Sequence, residues 1–350
     1  MTQLIFVGGF LGAGKTTLIL RAAALLRERG LRVAVITNDQ DSSLVDSRLA
    51  EAQNIQTGEV AGGCFCCRFS DLMAAADALA AYRPEVIFAE PVGSCVDLSA
   101  TILQPLKASF RDRYRLAPLT VLIDPEMAAR VYAGRADPDV SYLFRQQVAE
   151  ADLICASKVD RYPAYDLPVP IEFQVSALTG AGVAEWLAEV MNSRRVVGAH
   201  LLDVDYQRYA EAEASLAWLN LHADVELAES LSPAMLVGPL LEDLDRSLTA
   251  AGISIAHLKV FDQAASGYVK ASVCANGEEP VPMGDLAASP SPRHELVVNL
   301  RAIGDPERLL EMVRQSLAAI PGSVRERHAK SFRPAPPKPE RRFTAPASDR

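Results

Sequence analysis

The stretch Leu4-Ile5-Phe6-Val7-Gly8-Gly9-Phe10-Leu11-Gly12-Ala13-Gly14-Lys15-Thr16-Thr17 decides how the rest of the chain is read. Four apolar residues predict a short buried strand, a glycine-rich loop follows, and aliphatic residues at helical spacing run on to about Arg29. Gly9, Gly14, Lys15 and Thr16 fit the G-x-x-x-x-G-K-[ST] phosphate loop. Glycines so placed let backbone N–H groups converge on a polyphosphate at a helix N-terminus, where the dipole favours anions. The expected phosphate-binding residues are therefore Gly9, Gly12, Ala13, Gly14, Lys15, Thr16 and Thr17. Lys15 would reach the β- and γ-phosphates, and the Thr16 hydroxyl would ligate Mg²⁺. A chance glycine-rich turn is the plain alternative, and the strand before it and the helix after it argue against that.

Outward from this loop, short apolar strands alternate with helices. Val33–Thr37 ends at Asn38-Asp39, Val86–Ala89 at Glu90, Leu119–Ile123 at Asp124, Leu153–Ala156 at Ser157, and Phe173–Val175 at Ser176-Ala177. Helical spacing marks Leu72–Tyr82 and the segment around Trp186–Met191. Polar residues at strand C-termini specify an α/β fold, a mostly parallel sheet flanked by helices with ligands along one edge, over residues 1–197. From 213 to 322 the pattern changes to strands at Ala214–Leu221, His257–Phe261, Tyr268–Cys274 and His294–Leu300, with helices at Pro233–Ala251 and Pro306–Ile320. That predicts a smaller C-terminal α+β domain. Residues 323–350 hold eight Lys/Arg against three Asp/Glu and are rich in proline, which predicts a disordered basic tail.

Composition narrows the function. A length of 350 residues with 49% hydrophobic and 23% charged residues fits a soluble globular protein of two domains. No run approaches the roughly 18 consecutive apolar residues of a membrane span. The first strand begins within four residues of Met1, leaving no room for a signal peptide, so a cytoplasmic location is expected. The net charge of −9 argues against nucleic acid as the main partner. Of six cysteines, three crowd into four positions, which suits metal or thiol chemistry better than a disulfide framework.

Three further constellations carry chemistry. Ser157-Lys158-Val159-Asp160 is similar to the N-K-x-D guanine signature, with a shorter Ser for Asn. A carboxylate at Asp160 can accept from guanine N1–H and N2–H₂, whereas adenine presents an acceptor there, so GTP is preferred to ATP. Ser176-Ala177 is the expected backbone contact to the guanine oxygen. Glu90, at the end of an apolar strand, can hold the Mg²⁺ shell, and Gly93 can meet the γ-phosphate through its N–H. A strand-capping Glu is the alternative. Asp39 and Asp41 are further Mg²⁺ or water-positioning candidates. The third constellation is Gly62-Gly63-Cys64-Phe65-Cys66-Cys67, whose thiols can converge on one soft cation such as Zn²⁺ or Cu(I) and leave a fourth position for exchange. Buried free cysteines and redox sensing are the competing readings. Cys95, just after Gly93, could approach such a metal but is expected to pack; Cys155 and Cys274 read as core, and Trp186 and Trp218 as core or interface.

Together these motifs resemble the CobW family of GTPases, relatives of the urease and hydrogenase nickel-insertion GTPases. The resemblance rests on Gly9–Leu18, Asn38-Asp39, Glu59–Cys67, Glu90–Gly93, Gln147 through Ala151-Asp152, and Ser157–Asp160. It implies a GTP-dependent metallochaperone that binds zinc, or cobalt or nickel, at C-x-C-C and couples transfer to a client metalloprotein to GTP hydrolysis. Lys15, Thr16, Asp39 and Glu90 would serve the nucleotide chemistry, with no glutamine or arginine finger in cis and hence slow intrinsic turnover. The chain departs from the family pattern at Asp41-Ser42, where Gly-Glu is usual, and it lacks a His-rich stretch. The alternatives are a GTPase activator of a corrinoid or other cofactor-dependent enzyme, or a metal- or redox-sensing module. The client and a homodimeric state stay open.

Overall fold

The computed structural model describes residues 1–38, 40, 49–50, 53–162 and 164–347. The chain divides into two compact units, one running from Met1 to Ala212 and resuming at Pro336, the other centred on Glu213–Ala335.

The first unit is built on strands β1 (Thr2–Gly9), β2 (Val33–Asn38), β3 (Gln56–Val60), β4 (Val86–Glu90), β5 (Tyr114–Leu116), β6 (Thr120–Ile123), β7 (Leu153–Ala156) and β8 (Phe173–Gln174). Their order is β3-β2-β4-β1-β6-β7-β8, with β5 also pairing β1, and every pairing is parallel. The central strands are apolar throughout because both faces of a parallel sheet are covered by helices. The covering helices are α1 (Lys15–Glu28), α2 (Phe69–Ala78), α3 (Gln104–Phe110), α4 (Pro125–Tyr132), α5 (Pro138–Glu150), α6 (Val183–Asn192) and α7 (Tyr206–Ala214). Asp124 starts α4 by accepting from the Glu126 and Met127 N–H groups, and Asp137 does the same for α5. Trp186 of α6 is fully buried, its indole N–H donating to Thr120 Oγ1 at 3.1 Å. Strands β3 and β5 carry no apolar run, so the sequence pattern does not mark them. They are placed by strand pairing and by a few buried residues such as Val60 and Tyr114, β3 at a sheet edge.

The second unit is an antiparallel sheet in the order β12-β11-β10-β13-β9-β14. It comprises β9 (Leu216–Leu231), β10 (Ser254–Ala264), β11 (Gly267–Val273), β12 (Met283–Gly284), β13 (Ser291–Ile303) and β14 (Gly322–Phe332). Helices α8 (Pro233–Ala250) and α9 (Pro306–Ala318) pack Leu240, Leu241, Leu244, Leu309 and Val313 against one face.

The expected disordered tail is corrected here. Residues 322–332 form β14, paired antiparallel with β9, and Pro336 onward packs on the first unit. The composition misled because an exposed edge strand is charged for the same reason a tail is, to stay solvated and to repel other strands. Arg325 and Arg327 pair with Asp224, and Arg314 of α9 holds Glu326 at 2.7 Å.

One buried pair gives this sheet a pH-dependent contribution. His294 on β13 donates from Nδ1 to Asp262 Oδ2 on β10 at 2.7 Å and from Nε2 to the Ser291 carbonyl at 2.8 Å, with both side chains fully buried. Burial alone would lower the histidine pKa, but Asp262 and the Ser291 carbonyl outweigh it and raise the value. The folded state therefore holds this proton more tightly than the unfolded chain does. Its contribution is complete below the ordinary histidine value of 6.5 and is lost as pH rises through the raised folded value. Amide-exchange protection of β10 and β13, corrected for intrinsic rates, should fall with rising pH. His294→Leu, which strands the Asp262 carboxylate, should cost the sheet about 3–5 kcal/mol.

Candidate nucleotide and metal site

The parallel sheet brings its strand C-termini to one edge, and the candidate residues are those that hang from it. After β1 the loop turns on Gly9, Gly12 and Gly14 with φ of +133°, +75° and +90°. A Cβ at Gly9 would meet the Leu122 carbonyl at 2.5 Å. Gly14 caps α1 with no side chain over the helix end, so the first N–H groups face the loop. Lys15 is buried, its ammonium donating to the Gly9 carbonyl at 2.9 Å and the Phe10 carbonyl at 3.4 Å. Thr16 donates from Oγ1 to Glu90 Oε1 at 2.9 Å, which joins the two residues expected to share a divalent cation.

Gly93 presses on this loop. A Cβ there would lie 2.8 Å from Leu11 Cδ2, 3.1 Å from the Leu11 nitrogen and 3.1 Å from Lys15 Nζ. The turn is fixed by Gln147 of α5, whose Nε2 donates to the Gly93 carbonyl at 2.9 Å and the Cys95 carbonyl at 3.0 Å. Nothing in spacing alone marks Gln147 for this work. Asp39 and Asp41 lie outside the described residues.

On the other side of Glu90, β4 pairs β2 with Thr37 opposite Glu90. The next residue, Asn38, is buried and clamps the cysteine loop. It donates from Nδ2 to the carbonyls of Val60 at 2.9 Å and Gly63 at 2.7 Å, and accepts from Phe65 N–H at 2.8 Å. Phe65 is fully buried edge-on to Phe6 of β1, centroids 6.3 Å apart. The loop then turns on the Cys64 carbonyl, which accepts from the Cys67 and Arg68 N–H groups at 3.0 Å each. Cys64, Cys66 and Cys67 are thereby gathered, their sulfurs mutually within 4.8 Å. The Cys64–Cys67 and Cys66–Cys67 separations are 3.4 and 3.7 Å, and Cys64–Cys66 is 2.6 Å. A tetrahedral zinc with Zn–S of about 2.3 Å needs sulfur edges of about 3.8 Å, so two edges suit the ion and one must open. Contact with the Cys64 sulfur, then burial, pushes the Cys67 thiol up to about 11. A metal must therefore displace protons to bind here.

At the far side of the sheet, Ser157 is buried at the end of β7, its hydroxyl donating to the Ile123 carbonyl at 3.2 Å. Lys158 takes φ +54° and pairs with Asp124 at 2.6 Å, while Asp160 stands exposed. Val159 N–H donates to the Val175 carbonyl at 3.4 Å, which sets the Ser157–Asp160 loop beside Ser176-Ala177. Ser176 is buried, and its hydroxyl accepts from Thr179 N–H at 3.1 Å.

A phosphate loop on a parallel sheet, with a hydroxyl–carboxylate pair at its helix start, defines a P-loop nucleotide-binding protein. The family model for the CobW/HypB/UreG nucleotide-binding domain matches residues 3–179, and the chain belongs to that family. The chain is 26% identical over 232 residues to the zinc chaperone YeiR of Escherichia coli, covering 63% of this chain and 64% of that protein. It is 29% identical over 187 residues to the zinc chaperone CobW of Pseudomonas aeruginosa, covering 45% and 49%. Both matches thus span less than two thirds of the relatives' own length. A solved structure of HypB from Helicobacter pylori in complex with nickel aligns with 17% identity and a TM-score of 0.41, over 58% of this chain and 91% of that one, a likeness too loose to bear on chemistry. Among the described residues no helix is long and apolar enough to cross a membrane.

Asn38→Ala should release the cysteine loop without disturbing β1 or α1. Three buried hydrogen bonds of about 1 kcal/mol each disappear, so amide exchange across residues 60–68 should quicken tenfold or more while the phosphate loop keeps its protection.

Proposed function

We propose that this protein is a GTP-hydrolysing metallochaperone, which loads a thiophilic metal, zinc first, at Cys64, Cys66 and Cys67 and passes it to a client metalloprotein. The observation that carries this reading is the register of β2 on β4. Thr37 lies opposite Glu90, so the Asn38 clamp of the cysteine loop sits one residue from the carboxylate that Thr16 holds. A change at Glu90 or Gly93 has a short, packed route to the thiols.

In this reading Gly9 to Thr17 cradle the phosphates, and Lys15 leaves the Gly9 carbonyl for the β- and γ-phosphates. Mg²⁺ would be held by Thr16 and Glu90 and would neutralise charge on the transferred phosphoryl group. Gly93 donates its N–H to the γ-phosphate. Asp160 reads the guanine edge, Lys158 flanks the base, and Ser157 with Ser176-Ala177 supplies the remaining contacts. Hydrolysis frees the Gly93 turn, and the metal site loosens with it. The name "zinc chaperone" carried by two relatives supports the choice of metal. The 2.6 Å approach of Cys64 to Cys66 favours one other reading, a redox-sensing thiol pair, which would leave metal affinity indifferent to nucleotide.

The deciding experiment titrates Zn²⁺ into the reduced protein with GTP–Mg²⁺ or GDP–Mg²⁺. A single site whose affinity shifts between nucleotides is expected, and an affinity blind to nucleotide overturns the proposal. Lys15→Ala should lower GTP hydrolysis at least a hundredfold, read as phosphate release. Asp160→Asn should shrink the preference for GTP over ATP at least tenfold, read from competition binding.

A further inference from the structure

We propose that Cys95 is a fourth thiolate of the metal site, and that its engagement sets how metal affinity follows the nucleotide. This rests on the reading of Cys64, Cys66 and Cys67 as metal ligands. Cys95 Sγ lies 3.9 Å from Cys66 Sγ, close to the roughly 3.8 Å edge of a tetrahedral thiolate site. Cys64, Cys66 and Cys95 are all at least 98% buried, whereas Cys67 stands partly open at the rim. Among the described residues no His, Asp or Glu joins the three-cysteine cluster, and Cys95, near Cys66 but outside the set of sulfurs within 4.8 Å of one another, must close in to take the fourth position. On binding, the Cys95 thiol proton leaves to solvent and the sulfur lone pair goes to the metal.

The position of Cys95 in the chain gives it a second property. Gln147 ties the Gly93 and Cys95 carbonyls into one turn, and Cys95 N–H donates to the Val92 carbonyl at 2.9 Å. Gly93 and Cys95 therefore move together. A γ-phosphate that accepts from Gly93 N–H fixes the turn, as γ-phosphates order switch loops generally. The GTP state is then the four-sulfur state, and the GDP state keeps three.

X-ray absorption on the zinc-loaded full chain counts sulfur neighbours without any substitution. Four with a non-hydrolysable GTP analogue and three with GDP are expected, and three in both states overturns the proposal. Thiolate-to-cobalt charge transfer gives a second readout. Cys95→Ser should keep about three quarters of the GTP-state intensity and lose its nucleotide dependence, while Cys66→Ser should lose the site. Cys95→Ser spectra and nucleotide dependence identical to those of the unsubstituted chain would make Cys95 a packing residue. Failure of the unsubstituted chain to bind cobalt or zinc would instead remove the three-cysteine reading beneath it.

A separate set of contacts carries a second inference: residues 336–347 are a removable cover over the cysteine loop. In Pro336-Pro337-Lys338-Pro339 only Lys338 has a backbone N–H, and it donates to Cys67 Sγ at 3.1 Å. Glu340 N–H donates to the Cys66 carbonyl at 3.0 Å, and its carboxylate accepts from Ser70 N–H at 3.0 Å and Ser70 Oγ at 2.6 Å at the start of α2. Arg341 lies over the Phe69 ring at 4.9 Å, and Arg342 donates to the buried Asp97 at 2.7 Å. The prolines hold the segment extended before it docks, so little entropy opposes closure. At the Lys338–Glu340 end its fastenings are polar and exposed, the signature of a segment that opens locally, while Arg342 on Asp97 and Phe343 N–H on the Ala100 carbonyl hold the far end.

Lys338→Pro removes the N–H to Cys67, and Glu340→Ala removes the anchor at Ser70. Both changes are at exposed or rim positions, so the fold should survive them. Each should speed zinc loss to a competing chelator at least several-fold with the number of bound sulfurs unchanged. Unchanged release rates in both variants overturn the cover.

Discussion

The parallel pairing of β4 between β1 and β2 is the constraint on which the rest of the first unit depends. Parallel strands end on the same edge, so the loop after β1, Asn38 at the end of β2 and Glu90 at the end of β4 are neighbours by topology. Register then turns neighbours into contacts. Thr16 reaches Glu90, and one residue beyond the Thr37–Glu90 pair Asn38 holds the cysteine loop through three hydrogen bonds. A strand slipped by one residue would flip these side chains to the other face and uncouple the loops.

Much of this was legible because buried parallel strands are continuous apolar runs with a polar residue at the end. Val33–Asn38, Val86–Glu90 and Leu153–Ala156 lie where such runs predict them. The phosphate loop is legible for a different reason: its backbone needs glycine at positive φ, and only a few positions allow that. Illegible were the strands without an apolar run, namely β3, β5 and β14. Gln147 stands in the family-like stretch that runs to Asp152, but its bonding role was hidden. Its amide matters only because folding brings two carbonyls, 54 and 52 residues earlier in the chain, within its reach.

The cysteine loop carries a cost in the folded chain. Three thiols crowd together in a buried place where their protons are hard to remove, as the value of about 11 for Cys67 records. Apolar packing would stabilise such a loop more simply, and Phe65 against Phe6 does supply that anchor. Thiols packed on thiols contribute little to folding, and their raised pKa values keep them in the less reactive protonated form. On the metallochaperone reading proposed above, a soft cation would replace the protons.

The same composition that reads as a disordered tail serves two ordered tasks, and the reason is general. Lys and Arg keep an edge strand from pairing with other chains, as in β14, and proline keeps a segment extended with few N–H groups to satisfy. Neither device needs apolar residues, so neither leaves a hydrophobic pattern. What separates such a segment from a solvated tail is whether its few remaining donors and charges meet partners of matching geometry. Lys338, Glu340 and Arg342 each meet one: a sulfur, a helix start and a buried carboxylate. Asp97 makes the match costly to lose, since burial pushes its carboxyl up while Tyr206 and Arg342 pull it down. Take Arg342 away and a buried acid keeps only a tyrosine hydroxyl on that side chain, so the segment and the turn after Cys95 are stabilised by one charge pair.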